Sequence, residues 1–316
     1  YPDVVIQEIA KRLDYGTIKS MKLTNSRLRS ALLDPLLWMD LCARDHRTIP
    51  SRKFRNSLAE NAVLFRDEDR FGKLDYERIW AKDPFRSNLA PPILSSIEAM
   101  RREYGWRLDD VGHCHHPTLP HVRMLVEEPP RGCEPHPEVQ RCIATSIFWG
   151  TRLMRVNLIK EGFSEWVLDH IRPRIIISEL VAPRPECSSI YRIHAQLLKP
   201  GERFGSYTAP SRYRAEEKEW PQENPGRWER VELVFEDYPT GMREIGVLSE
   251  GKDRGIWGGN FGAKYANLQI RIEMPDEARW LSEEDFNDSP DITWQDQAAA
   301  NVTRAKVWNR HRKEYI

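Results

Sequence analysis

The sequence predicts an α+β, multidomain chain: helices at the N-terminus, then an antiparallel β-sandwich, then a helical tail. Three observations predict it. Apolar residues before position 42 recur at spacings of three and four, several runs between 152 and 274 alternate with period two, and Asp83-Pro84 separates the two regimes. The first spacing places side chains on one helix face, the second on one strand face. A length of 316 residues also favours more than one domain.

At the N-terminus, Pro2 occupies a first-helix position, where its missing N–H would be unpaired in any case. Val5, Ile6, Ile9 and Leu13 then predict one apolar helix face. Thr17 is expected to cap a second short helix carrying Ile18 and Met21. A third starts near Asn25 or Ser26 and presents Leu28, Ala31 and Leu32, followed by Pro35 and the pair Leu37–Trp38. A segment of about 40 residues rarely buries enough apolar area to fold unaided. This surface is therefore expected to seek a partner. Residues 48–83 read as a charged helical linker, with Phe54, Leu58, Val63 and Leu64, then Tyr76, Ile79 and Trp80, as its apolar clusters. Asp83-Pro84 ends it, because a residue before proline leaves the helical region.

Strands are predicted at Arg152–Ile159, Arg174–Val181, Ile190–Leu198, Trp228–Phe235, Met242–Leu248 and Leu268–Met274. Turns at Tyr238–Gly241 and Gly251–Asp253 separate some of them, which is the pattern of an antiparallel sandwich. Phe163–Ile171 (FSEWVLDHI) reads as one helix between strands. After Pro275 an acidic stretch leads to a helical pattern over Ile292–Arg312, with Trp294, Ala298, Val302, Ala305 and Trp308 on one face. Its basic end reads as a solvated face.

Composition narrows the function classes. Lysine plus arginine equals aspartate plus glutamate at 48 each, so no global field draws the chain to nucleic acid or an acidic membrane. No run of 18 apolar residues is present, and five cysteines without a framework spacing fit reduced thiols, hence a cytoplasmic or nuclear setting. No phosphate-binding glycine loop and no nucleophile elbow occur in the sequence. His113, His115, His116 and Cys133 carry zinc-type donors, but their spacing matches no finger or ribbon. Prolines around them predict an irregular loop, and no cofactor is expected.

The opening segment resembles an F-box: a proline start, an aliphatic helix, and the closing Leu37–Trp38 with Leu41 one turn on. The family's usual Leu-Pro opening reads Tyr1–Pro2 here. Further along, PFRSNL (Pro84–Leu89), YGWRLDD (Tyr104–Asp110), EGFSEWVLD (Glu161–Asp169), WERVELVFEDYPTGMREI (Trp228–Ile245) and GKDRGIWGGNFGAKYANLQIRI (Gly251–Ile272) resemble the F-box-associated domain. That domain is the jelly-roll, galactose-binding-like sandwich of the sugar-binding F-box proteins. The resemblance implies an F-box at 1–47, a linker at 48–83, the sandwich at 84–275 with an insertion near 111–137, and a tail at 276–316.

It also implies an adaptor rather than an enzyme. The expected function is substrate recognition in an SCF-type ubiquitin ligase, with a Skp-family adaptor and a cullin–RING ligase as partners. The residues expected at the adaptor are Pro2, Val5, Ile6, Ile9, Leu13, Leu28, Leu32 and Trp38. In glycan-binding family members an aromatic-Trp-Lys tripeptide stacks on a chitobiose core, helped by an Asp and an earlier aromatic residue. These positions align with Ile256-Trp257-Gly258, Glu186 and Ile147. Ile256 offers no π-face and Gly258 no ammonium donor, so the sugar pocket is mostly not retained. Gly258 and Gly259 leave the backbone open to a protein segment, with Phe148, Glu186 and Asn260 at the rim. Two alternatives stand beside this reading: a cytosolic lectin for N-glycans of misfolded glycoproteins in ER-associated degradation, and a scaffold without ligase engagement.

Overall fold

The computed structural model describes residues 3–49, 75–111, 124–206, 209–255 and 258–275. The chain divides into two units, Tyr1–Thr48 with Arg66–Pro275 and Ile49–Phe65 with Asp276–Ile316, and the described residues belong almost wholly to the first. The helix expected over 292–312 lies outside them.

Four short helices, rather than three, fill the N-terminal module: α1 (Asp3–Ala10), α2 (Tyr15–Thr24), α3 (Ser26–Ala31) and α4 (Pro35–Arg44). Asp34 explains the extra break. Its side chain accepts from the Leu36 N–H at 3.1 Å and Pro35 takes the first helical position, so a new helix starts where one had been expected to run on. The cap of α2 is likewise Asp14, which accepts from the Thr17 N–H at 3.0 Å; Thr17 is a donor to the cap, not the cap itself. A fifth helix, α5 (Tyr76–Lys82), packs against α4. Trp80 meets Trp38 with ring centroids 5.6 Å apart and Tyr15 at 6.0 Å. Of the expected helical linker, residues 50–74 lie outside the described residues. The break at Asp83-Pro84 takes the form of a left-handed Asp83 (φ 46°) closing α5.

After α6 (Ile97–Tyr104) the described residues form ten strands: β1 (Arg107–Val111), β2 (Leu125–Glu127), β3 (Cys142–Ala144), β4 (Trp149–Asn157), β5 (Arg174–Ala182), β6 (Ser189–Leu198), β7 (Tyr213–Trp220), β8 (Glu229–Phe235), β9 (Glu244–Asp253) and β10 (Lys264–Glu273). They form two five-stranded antiparallel sheets, ordered β1-β4-β9-β6-β7 and β2-β3-β10-β5-β8. Ile175, Ile177, Ile193, Leu197, Val247, Ile270 and Ile272 are buried in the core they share.

Each of the six predicted strands is present. The four not predicted have physical reasons to be silent. β2 and β3 have three residues each, too few for a period to show. β7 (YRAEEKEW) is an edge strand, polar on both sides, with only Trp220 buried. β1 is a short edge strand of five residues, in which Leu108 is buried. The helix expected at Phe163–Ile171 shrinks to a π-helical turn, Val167–Ile171. Part of the segment expected to be irregular, 111–137, is built into the sandwich through β2, which pairs with β3.

The core also holds a charged network. Arg152 Nη2 on β4 donates to Glu179 Oε1 on β5 at 2.7 Å and to Ser249 Oγ on β9 at 2.8 Å. Tyr191 OH and Ser249 Oγ donate to Glu179 Oε2, each at 2.6 Å. Arg152 and Glu179 are both fully buried. Burial, then the adjacent Glu179 carboxylate, raises the Tyr191 phenol well above its ordinary pKa, so it stays a proton donor.

Candidate docking face and candidate substrate-binding tip

The helical module sorts its apolar residues into two sets. Ile6, Ala10, Ile18, Leu32, Leu37, Trp38 and Leu41 are buried, and the Trp38 indole N–H donates to Leu32 O at 2.8 Å. Val4, Val5, Ile9, Leu23, Leu33 and Leu36 are exposed, from 39% for Leu36 to 82% for Leu23. Six of the eight large exposed apolar side chains among the described residues therefore sit on this module.

That division corrects the expected adaptor set. Val5 and Ile9, one turn apart, point outward, whereas Ile6 and Ala10 point inward, so the expected single face is two faces. Leu32 and Trp38 belong to the module's own core and are not free to touch a partner. Leu13 and Leu28 are half-buried, and Pro2 lies outside the described residues. Val4, Leu23, Leu33 and Leu36, not in the expected set, are exposed as well. Propensity and spacing mark a residue as apolar; only packing shows which side is left open.

At one end of the sandwich three loops that cross between the sheets come together: β3–β4, β5–β6 and β9–β10. The Gly262 N–H donates to Thr145 O at 3.0 Å, Thr145 Oγ1 to Ala263 O at 2.7 Å, and the Asp253 N–H to Ser146 O at 2.7 Å. The Arg254 N–H donates to Ser188 O at 3.0 Å, tying in the β5–β6 loop. The β7–β8 loop joins through Asn224, whose Nδ2 donates to Arg184 O at 3.2 Å and Cys187 O at 3.0 Å. The arm before β3 is anchored by the buried pair Lys264–Glu127, with Lys264 Nζ also donating to Arg131 O at 2.5 Å.

The structure thus brings the loops of Ile147, Phe148, Glu186, Gly258 and Asn260 to one tip. Ile147 and Phe148 are half-buried, Gly258 is exposed, and Asn260 is half-buried with Nδ2 3.4 Å from Ala144 O. Glu186 is exposed and left-handed, at φ 65°. Ile256 and Trp257 lie outside the described residues. Residues missed from sequence are Arg184, whose guanidinium sits 4.4 Å from the Phe261 ring centroid, and Trp149, flanked by Arg192 at 4.6 Å and Lys252 at 5.2 Å. The flanking Pro183 and Pro185 were the one available signal for Arg184.

Of the zinc-type donors, His113, His115 and His116 lie outside the described residues. The Cys133 thiol donates to Pro183 O at 3.5 Å, and burial pushes its pKa up, so it is a structural thiol. Among the described residues no group of three His, Cys, Asp or Glu side chains is placed to hold a metal ion. Among them, too, no helix is long and apolar enough to cross a membrane.

Comparison with known proteins gives the family. The family described as "F-box associated region" matches residues 113–272, about half of the chain. F-box only protein 6 of Rattus norvegicus is 29% identical over 281 residues, covering 85% of this chain and 90% of that protein. F-box only protein 6 of Mus musculus is 29% identical, covering 57% of this chain and 59% of its own length. F-box only protein 44 of Homo sapiens is 28% identical, covering 45% and 53% respectively. Among solved structures, TmCBM61 in complex with β-1,4-galactotriose has 12% identity and a TM-score of 0.32, covering 58% of this chain and all of that one. Proteins of the matched family are non-catalytic substrate adaptors. The chain belongs to the F-box associated region family and is an F-box protein whose C-terminal sandwich is that region.

Proposed function

We propose that the chain is the substrate-recognition subunit of an SCF-type ubiquitin ligase, working in the cytoplasm or nucleus. It docks on a Skp-family adaptor through Val4, Val5, Ile9 and neighbouring exposed residues, and it binds a protein substrate through the loops at the sandwich tip. The observation that carries this reading is the concentration of exposed apolar side chains on a helical module that already has its own buried core. A module with a filled core and a second apolar face is built to associate. Burial of each large side chain contributes about 1.5–3 kcal/mol before the costs of association.

Holding substrate at one end and ligase at the other raises the effective concentration of substrate lysines near the loaded E2 enzyme. No bond-making residue is required of this chain. The jelly-roll sandwich serves as the platform, and its loops do the reading. Protein rather than glycan is the proposed ligand, because Ile256 and Gly258 lack the π-face and ammonium that a chitobiose core would use.

The test is binding of a purified Skp-family adaptor to the wild-type chain and to a Val5→Asp, Ile9→Asp double variant. Adaptor binding should be lost in the variant while its melting temperature is unchanged. Equal binding by both proteins would refute the docking face. Binding to chitobiose-core glycans, abolished by free chitobiose, would replace the protein substrate with a sugar.

A further inference from the structure

We propose that Arg184 anchors an oxyanion-binding site at the sandwich tip, which takes a phosphoryl or carboxylate group carried on a substrate peptide. The inference rests on the tip being the substrate-binding end and names the chemistry it reads.

Arg184 is fixed in backbone and side chain alike. Pro183 and Pro185 restrict the chain on both sides. Its carbonyl accepts from the Cys187 N–H at 3.2 Å and from Asn224 Nδ2 at 3.2 Å. The guanidinium lies over Phe261, 4.4 Å from the ring centroid. On another side is Gly132, where a Cβ would come within 3.4 Å of Arg184 Cγ and 3.5 Å of Nε. Phe261 is itself held against Gly259, where a Cβ would sit 2.4 Å from the ring. Both glycines have positive φ, 73° and 147°, so backbone shape favours glycine at each, and at Gly259 the close approach of the ring demands it as well.

The arginine so held has no carboxylate partner among the described residues. Other arginines of the sandwich do: Arg192 pairs with Glu217, Arg227 with Glu134 at 3.1 Å, and Arg254 with Glu219 at 2.5 Å. Glu186, on the same loop, is exposed and makes no ion pair with it. Arg131, beside Gly132, is exposed and adds a second positive charge. A guanidinium stacked on a ring keeps its N–H edge free, and that planar fork matches a carboxylate or phosphate through two parallel hydrogen bonds. Pre-organisation lowers the entropy lost on binding. A partly exposed, immobilised and unpaired arginine among substrate-facing loops is therefore a recognition element, not a structural tie.

The experiment measures fluorescence anisotropy of the full chain with three labelled peptide libraries, degenerate except for a central phosphoserine, aspartate or serine. The serine library should bind about tenfold more weakly than at least one of the other two, a difference expected of a charge-assisted bidentate contact. Whichever of phosphoserine and aspartate binds tighter identifies the oxyanion's source. Arg184→Gln keeps the stem over Phe261 and should abolish the preference; Arg184→Lys keeps the charge without the fork and should retain part of it. An unchanged preference in Arg184→Gln overturns the proposal, as does failure of every library to bind. Equal binding of all three, lost in Phe148→Asp, sinks the oxyanion inference and leaves the tip reading intact. Binding that survives both Phe148→Asp and Arg184→Gln sinks the two together.

Discussion

The helical module and the sandwich use the same apolar residue types to opposite ends. The sandwich closes its core between two sheets, leaving only Leu125 and Tyr213 as large exposed apolar side chains among its described residues. The module, about a quarter of the sandwich's length, leaves six exposed. Charge is distributed in the reverse sense. Every buried charged side chain among the described residues lies in the sandwich, most of them in pairs such as Arg152–Glu179 and Lys264–Glu127. The sandwich thus closes its apolar surface on itself, whereas the module leaves an apolar face open.

This contrast can be broken from either side. The largest effect is expected for Glu179→Ala, which strands Arg152 in the core. Loss of one partner of a buried pair costs about 3–5 kcal/mol, so the sandwich transition in a denaturant melt should shift strongly while adaptor binding at low temperature persists. A loss under about 1 kcal/mol would show the network to be dispensable, as some buried pairs are.

Trp38→Ala is the mirror experiment. It removes the indole from the Trp38–Trp80–Tyr15 cluster and should cost the module about 3–5 kcal/mol. Adaptor binding should vanish through unfolding of the module, visible as lost helical circular dichroism, with the sandwich transition in place. Ile9→Ala acts on the open face alone. It should weaken adaptor affinity by about 1.5–3 kcal/mol, tenfold or more, without moving either transition. A fall in melting temperature instead would mean that Ile9 belongs to a core.

Smaller effects sharpen the frame. Ser96 Oγ accepts from the Ala99 N–H at 3.1 Å and caps α6, so Ser96→Ala should cost about 1 kcal/mol, read by chemical denaturation. Asp169 is held below the usual carboxylate range, first by its hydrogen bond to Arg243 and further by the Gly241 N–H. A folded pKa below the unfolded value of about 3.9 means that its contribution is complete above that pH and is lost as pH falls through the lowered value. Melting temperatures of wild type and Asp169→Asn should differ by a constant amount at neutral pH and converge below about pH 4. A gap that stays constant into acid would remove Asp169 from the account.

Much of the frame was legible in the sequence because burial on one side of a strand writes itself as alternation. In β4, Met154 and Val156 face the core, and Arg152 shares their parity. That parity is consistent with the arginine's burial, but nothing nearby in sequence named Glu179 as its partner, 27 residues on. In the same way Ile6 and Ile9 look equivalent as letters three apart; α1 ends at Ala10 and turns one in and the other out. The tip was legible only in part. Ile147, Phe148, Glu186 and Asn260 come from three loops that the sheet crossovers do bring together, whereas Arg184 took its meaning from Phe261 and Gly132, far away along the chain.

By itself the sequence determined the class of the strands that alternate, the end of the helix before Pro84 and the family, since these depend on local periodicity, proline chemistry and runs of matching residues. Only the tertiary structure decided which apolar side chains remain open, which charges are paired and, among the described residues, that Arg184 stacks on a ring and pairs with no carboxylate. Those properties depend on what a residue meets across space, and close packing makes that meeting depend on the whole fold at once.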